Sequence, residues 1–297
     1  MGFLKSFFGG KTESPEEKKK EEESKEFDVL KYDGVRTLRS GQYVYAVQCF
    51  QHALELQEDL EVRDYLSQAL IHNNEILPAY EQLQKLNEAQ PENVDILIRM
   101  ADVCYMMEDY TVMADACEKA MLIDKDNPQV LFFYARACIG QGDCVNAVAM
   151  LTKAISLKKN NGEAYLLRGE TLLDMGDLNG ADEDADFLLS KAEGNEDVLL
   201  LKARVREAKG EHEQAIDYYN KVIEANPFSM VALKERGAIK MNIGDKDGAE
   251  ADMRTLMELD PDKVNEVNGE FSAEGTENIQ QKVEQAYKQN NPFGLWE

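Results

Sequence analysis

Small and apolar side chains recur along this chain at a fixed step. A phrase of the form Gly-Asp-x-x-x-Ala returns at Gly41–Ala46, Glu108–Met113, Gly142–Ala147, Gly176–Ala181, Gly210–Ala215 and Gly244–Ala249. From Glu108 onward every step is 34 residues, and Glu108 stands 67 residues after Gly41. That interval has room for one weaker copy, marked by Asn74 and Ala79. Ahead of each phrase lies a small residue in an apolar context: Gly34, Ser67, Ala101, Ala135, Gly169, Ala203 and Gly237. After each phrase comes a larger core position: Phe50, Leu83, Cys117, Leu151, Ala185, Tyr219 and Met253.

The spacing predicts structure directly. Gly or Asp in the middle of the period ends one helix through a left-handed cap and starts the next through an N-cap. Each period therefore divides into two helices of about three turns, A and B. Small residues on A and B let the two backbones approach closely. One pair cannot bury its apolar face alone, so stacking on the next pair must do it. The expected repeats are 27–59 (one residue short), 60–93, 94–127, 128–161, 162–195, 196–229 and 230–263. In the third, Met113 and Cys117 exchange the usual volumes; in the fifth, Ala181 and Ala185 are both small, with Phe187 and Leu188 to fill the space. Ala147→Trp is expected to overpack the array and cost on the order of 1–3 kcal/mol. A thermal melt followed by circular dichroism checks this; an unchanged midpoint means the alignment is out of phase.

The 34-residue period, the small residue at the eighth place, Ala at the twentieth and Pro at the thirty-second (Pro91, Pro227, Pro261) resemble the tetratricopeptide repeat (TPR) family. The resemblance covers residues 27–263 and implies an all-α, right-handed superhelical solenoid of helix pairs, whose A helices line a concave groove. It also implies that the fifth, ninth and twelfth places of each A helix face that groove. These are Asp64, Gln68, Ile71; Ile98, Asp102, Tyr105; Phe132, Arg136, Ile139; Leu166, Glu170, Leu173; Leu200, Arg204, Glu207; and Lys234, Ala238, Met241.

The two ends differ in kind. Residues 1–26 read as a tail: Lys11–Glu26 is a mixed-charge run that cannot bury a core and is expected to be a mobile tether. Before it, MGFLKSFFGG sets Phe3, Leu4, Phe7 and Phe8 on one helical face, which suits either a frayed end or a short anchor for a membrane surface or partner. Gly2 and Ser6 fit the short myristoylation pattern. In residues 264–297, Ile279, Val283 and Ala286–Tyr287 share a face, predicting a capping helix over about 277–289. The closing NPFGLWE either packs back through Phe293 and Trp296 or forms a docking motif.

Composition narrows the function. A net charge of −24 argues against general nucleic-acid binding, which needs a basic surface. The five cysteines are odd in number and none has CxxC spacing, which fits a reducing cytoplasm. His52, His72 and His212 are scattered, and no metal-ligand spacing links His to Cys. Cys104 and Cys138 fall at core places and read as small buried hydrophobes. The acidic run Ala181–Asp186 lacks the glycine and distal glutamate of a calcium loop. No Walker, GxGxxG or GxSxG motif occurs. No catalytic residue, metal or cofactor is expected.

What remains is protein binding. The fifth place is apolar in four successive repeats (Ile98, Phe132, Leu166, Leu200), a ladder that either receives a partner helix or extended segment, or seals the neighbouring A helix. Nine of ten arginines lie on A helices. Arg168, Arg206 and Arg236 are at places that face helix B, leaving Arg99, Arg136 and Arg204 for carboxylate recognition. The carboxylate clamp of chaperone-binding TPRs is matched in the first three repeats only by Lys31 and Arg99, so that clamp is not expected. The expected partner-binding residues are Ile98, Arg99, Tyr105, Phe132, Arg136, Ile139, Leu166, Leu173, Leu200, Arg204 and Lys234. The leading reading is a cytoplasmic scaffold or adaptor that holds a partner peptide or helix. The alternative is a structural or self-associating spacer tethered through residues 1–8.

Overall fold

The computed structural model describes residues 14–259. Across them the chain forms fourteen helices: α1 (Pro15–Arg39), α2 (Tyr43–Leu56), α3 (Leu60–His72), α4 (Ile76–Ala89), α5 (Val94–Met106), α6 (Tyr110–Ile123), α7 (Pro128–Gly140), α8 (Cys144–Leu157), α9 (Gly162–Asp174), α10 (Leu178–Leu189), α11 (Glu196–Ala208), α12 (His212–Ala225), α13 (Met230–Asn242) and α14 (Lys246–Leu259). No strand occurs among the described residues. Odd-numbered helices are the A members and even-numbered ones the B members of seven pairs.

Each pair turns through one left-handed residue. These are Gly41, Asn74, Glu108, Gly142, Gly176, Gly210 and Gly244, with φ between 57° and 87°. The amide after each reaches back five residues, as in Gln42 to the Thr37 carbonyl and Asp177 to the Leu172 carbonyl, both at 2.9 Å. This closes the last turn of helix A and satisfies a carbonyl that would otherwise be orphaned. Asn74 and Glu108 hold this conformation with a Cβ present, Asn being the more tolerant of the two. At the other end of the period, Asn93, Asn127, Asn161 and Asn195 cap successive A helices through their side chains. Asp109 and Asp177 do the same for B helices.

Packing divides the chain between Asp143 and Cys144 into two units. In the first, each helix from α1 to α7 packs on the next; in the second, the same holds from α8 to α14. All seven small places on the A helices are buried, as are their partners Ala46, Ala79, Met113, Ala147, Ala181, Ala215 and Ala249. At Gly34 the reason is plain: a Cβ there would stand 2.5 Å from the Phe50 ring, itself fully buried. In the fifth pair the void beside Ala181 and Ala185 is filled by Leu201 and Val205 of α11. Phe187, expected to fill it, instead stacks half-buried on Tyr165 at 4.1 Å, while Leu188 is buried. Met113 and Cys117 are both buried.

The mixed-charge run departs from expectation. Residues 15–26 are not a tether but the first three turns of α1. Ser14 and Glu17 form a reciprocal capping box, Pro15 takes a first-turn position, and Lys19–Glu23 and Lys25–Glu21 pair four residues apart. Such local devices hold a helix without a core. Burial begins at Phe27. The calls on residues 1–10, on the capping helix and on NPFGLWE lie outside the described residues.

A second periodicity emerges from the hydrogen bonds. The seventh place of an A helix reaches the preceding B helix sixteen residues back: Tyr134 to Glu118, Arg168 to Thr152, Lys202 to Asp186, and Arg236 to Asn220. Arg168 and Arg236 also fork onto a carboxylate sixteen residues ahead, Asp184 and Asp252, on their own B helices. Lys202 is 1% exposed, its charge compensated by Asp182 and Asp186 of α10. These pairs place polar bonds between successive helices, joined in α10 and α11 by Arg206 and Lys209 on Asp182. Among the described residues, no helix is long and apolar enough to cross a membrane.

Candidate protein-interaction surface

Chemistry inside the array is muted. Cys49, Cys104, Cys117 and Cys138 are buried and Cys144 is partly so, all as free thiols. Burial pushes the Cys104 thiol up to about 11 and that of Cys117 to about 12, so neither supplies a thiolate nucleophile at neutral pH. No group of three or more His, Cys, Asp or Glu side chains suits a metal ion among the described residues.

In the first unit, α3, α5 and α7 carry the candidate places. Ile98 is 8% exposed and belongs to the core with Leu83 and Leu97, so it seals the stack and offers little surface. Arg99 crosses to α3 and pairs with Asp64, which also accepts from Gln68 at 2.8 Å. Lys31, the other residue shared with the chaperone clamp, bonds Glu61 at 2.6 Å.

Arg136 is arranged differently. Its guanidinium carbon stands 3.5 Å from the centre of the Tyr105 ring and 5.7 Å from that of Phe132. Phe132 meets Phe133 edge-on at 6.0 Å. Tyr105, Phe132, Arg136 and Ile139 are all half-buried. Asp102, one turn before Tyr105 on α5, is pushed up by burial and partly drawn down by the Arg136 charge. No hydrogen bond or ion pair joins the two among those described. Two predicted aromatic residues, Tyr105 of α5 and Phe132 of α7, thus flank the predicted Arg136, and Ile139 lies three residues further along α7.

In the second unit the pattern reverses. Leu166 and Leu173 pack half-buried against the Ala181–Leu201 cluster, while Leu200 is 7% exposed and joins the core around Tyr219. Arg204 is held bidentate by Glu235 of α13, at 2.9 Å from Nε and 2.8 Å from Nη2. The Tyr219 hydroxyl donates to the same Glu235 at 2.9 Å and lies 3.4 Å from Glu207. Burial, then repulsion from Glu235, raises the Glu207 carboxyl to about 7. Glu170 is also raised, chiefly by burial and against the pull of Arg204. Lys234 is exposed, and Ala238 and Met241 pack near Ala249.

Sequence reasoning set several of these arginines toward B helices but did not foresee the acids that hold the others. Arg168 and Arg236 face B helices, and Arg206 bonds Glu211 at the start of α12 while approaching Asp182 of α10. Neither the group of Lys202 with Asp182 and Asp186 nor that of Arg204, Glu235 and Tyr219 was singled out. The recurrence of a basic or hydroxyl side chain at the seventh place, with a partner sixteen residues away, was the available signal.

Residues 166–229 match the family model described as tetratricopeptide repeat. No curated protein matches the chain. Among solved structures, a tetratricopeptide repeat protein from Parabacteroides merdae ATCC 43184 superposes with a TM-score of 0.68 at 13% identity, over 88% of this chain and 98% of its own. PilW, a widely conserved type IV pilus biogenesis factor, gives 0.64 at 15% identity, over 70% and 97%. YrrB, a TPR protein with an unusual peptide-binding site, gives 0.50 at 15% identity, over 61% and 94%. At such identities the likeness is one of fold.

Proposed function

We propose that this chain, a tetratricopeptide-repeat protein, is a non-catalytic scaffold that holds a peptide or helical segment of a partner protein against its A helices. In the first unit the binding surface is formed by Tyr105, Phe132, Arg136 and Ile139. The observation that carries this reading is that these side chains remain half-exposed together, whereas Ile98, Arg99, Leu200 and Arg204 are taken up by the stack itself. A half-open aromatic and aliphatic cluster with one polar director is the chemistry of a recognition surface. In the second unit Leu166, Leu173 and Lys234 are the corresponding side chains. The peptide-binding site described for YrrB supports the reading by fold-level analogy.

The test is affinity purification with the wild-type chain and with Phe132→Glu/Arg136→Glu, folding being checked by circular dichroism. Partners that depend on this surface are expected to disappear from the variant. An identical partner set from both proteins would rule this surface out.

A further inference from the structure

We infer that Arg136 is the receptor for an Asp or Glu side chain of the partner segment, next to an apolar residue that rests on Phe132 and Ile139. The inference rests on the scaffold reading above and adds the chemistry of what is held. The sequence sets three A-helix arginines apart as candidates, Arg99, Arg136 and Arg204, and the structure separates them. Arg99 is bonded to Asp64, and Arg204 to both oxygens of Glu235. Arg136 has no hydrogen-bonded carboxylate among the described residues; its planar face lies over Tyr105.

That placement matters because a guanidinium uses two different surfaces. Its planar face stacks on an aromatic ring, while its N–H donors project in the plane from the edge. Stacking at 3.5 Å on Tyr105 fixes the plane and leaves the edge as a preformed fork. A carboxylate is the group whose two oxygens match such a fork. The pre-set plane also lowers the ordering cost of forming the bonds. Asp102 lies on the same face, and the chain carries a net charge of −24. Both disfavour a doubly charged phosphate and leave a single carboxylate as the better match. The apolar neighbour follows from Phe132 and Ile139, which flank Arg136 on α7 about one turn to either side.

The probe is a phage-displayed library of random dodecapeptides panned on the full-length chain, followed by synthetic peptides of the enriched sequences. Enrichment of Asp or Glu beside an aromatic or aliphatic residue is the expected result. Arg136→Gln should weaken such a peptide about 10- to 100-fold, and Arg136→Lys should recover only part of that by keeping charge without the fork. Changing the peptide's acid to its amide should weaken binding to the wild type but not to Arg136→Gln, a double-mutant cycle insensitive to small folding effects. Peptides that bind through Phe132 but carry no acidic residue, or that lose nothing with Arg136→Gln, would overturn the carboxylate assignment and leave the scaffold reading standing. Failure of any enriched peptide to respond to Phe132→Glu would remove both.

Discussion

Tyr219→Ala is expected to lower stability by about 3–5 kcal/mol, the range for truncating a large aromatic in a closed core. Tyr219 is fully buried among Leu199, Ala203, Ala215, Val222 and Ala232, contributed by three successive helices of the second unit. Removing the ring empties the volume on which α11, α12 and α13 converge. The hydroxyl adds to the effect because its bond to Glu235 is lost with it. Tyr219→Phe keeps the ring and should cost much less. Urea titration followed by circular dichroism distinguishes them, the reading being the transition midpoint, because stacked repeats need not unfold in one step. If the alanine and phenylalanine variants shift the midpoint equally, packing is not what Tyr219 supplies.

The second large effect is a pH dependence centred on Glu207. Its carboxyl titrates near 7 in the folded chain against an ordinary value of 4.5. The native state therefore binds a proton that the unfolded chain releases, and the sign follows. This contribution to stability is fully present below about 4.5, declines as pH rises, and is lost once pH has passed through about 7. The difference is on the order of 3 kcal/mol. Glu207→Gln carries a permanent neutral analogue, so it should be more stable than wild type at pH 8 and nearly equal to it at pH 4.5. Glu170 and Asp102 are also raised by burial and add slope in the same direction, whereas Asp182, bonded to Lys202 and Lys209, is lowered and opposes it. Comparing wild type with Glu207→Gln at each pH cancels these shared terms. A constant difference across that range would refute the assignment.

Much of the architecture was legible because it depends on small residues at fixed intervals. Gly34 and Ala46, or Gly169 and Ala181, announce a close helix crossing whatever surrounds them, and a glycine at Gly176 announces a left-handed turn. Glu108 was harder, since nothing in its chemistry favours that conformation, and only the period marked it. The start of α1 was misread because composition reports burial, and its first three turns bury nothing; they are held by a cap and charge pairs at helical spacing. The candidate face was legible only in part. Place within a repeat says which way a side chain points, but not what stands opposite it on the next helix. Ile98 and Arg99 share a helix with Tyr105, yet Ile98 is closed into the core and Arg99 is paired with Asp64, whereas Tyr105 stays half-exposed beneath Arg136.

The interhelical charge pairs carry a consequence for the order of the modules. Arg99 finds its acid one pair back, Arg204 finds its own one pair ahead, and Lys202 depends on two aspartates of α10. An interior cation stripped of its counterion is strongly destabilising. Shuffling or excising a pair would preserve the backbone step while setting mismatched charges face to face. The helix pairs repeat one backbone pattern but differ in the charges they set against their neighbours, so within each unit they are not interchangeable.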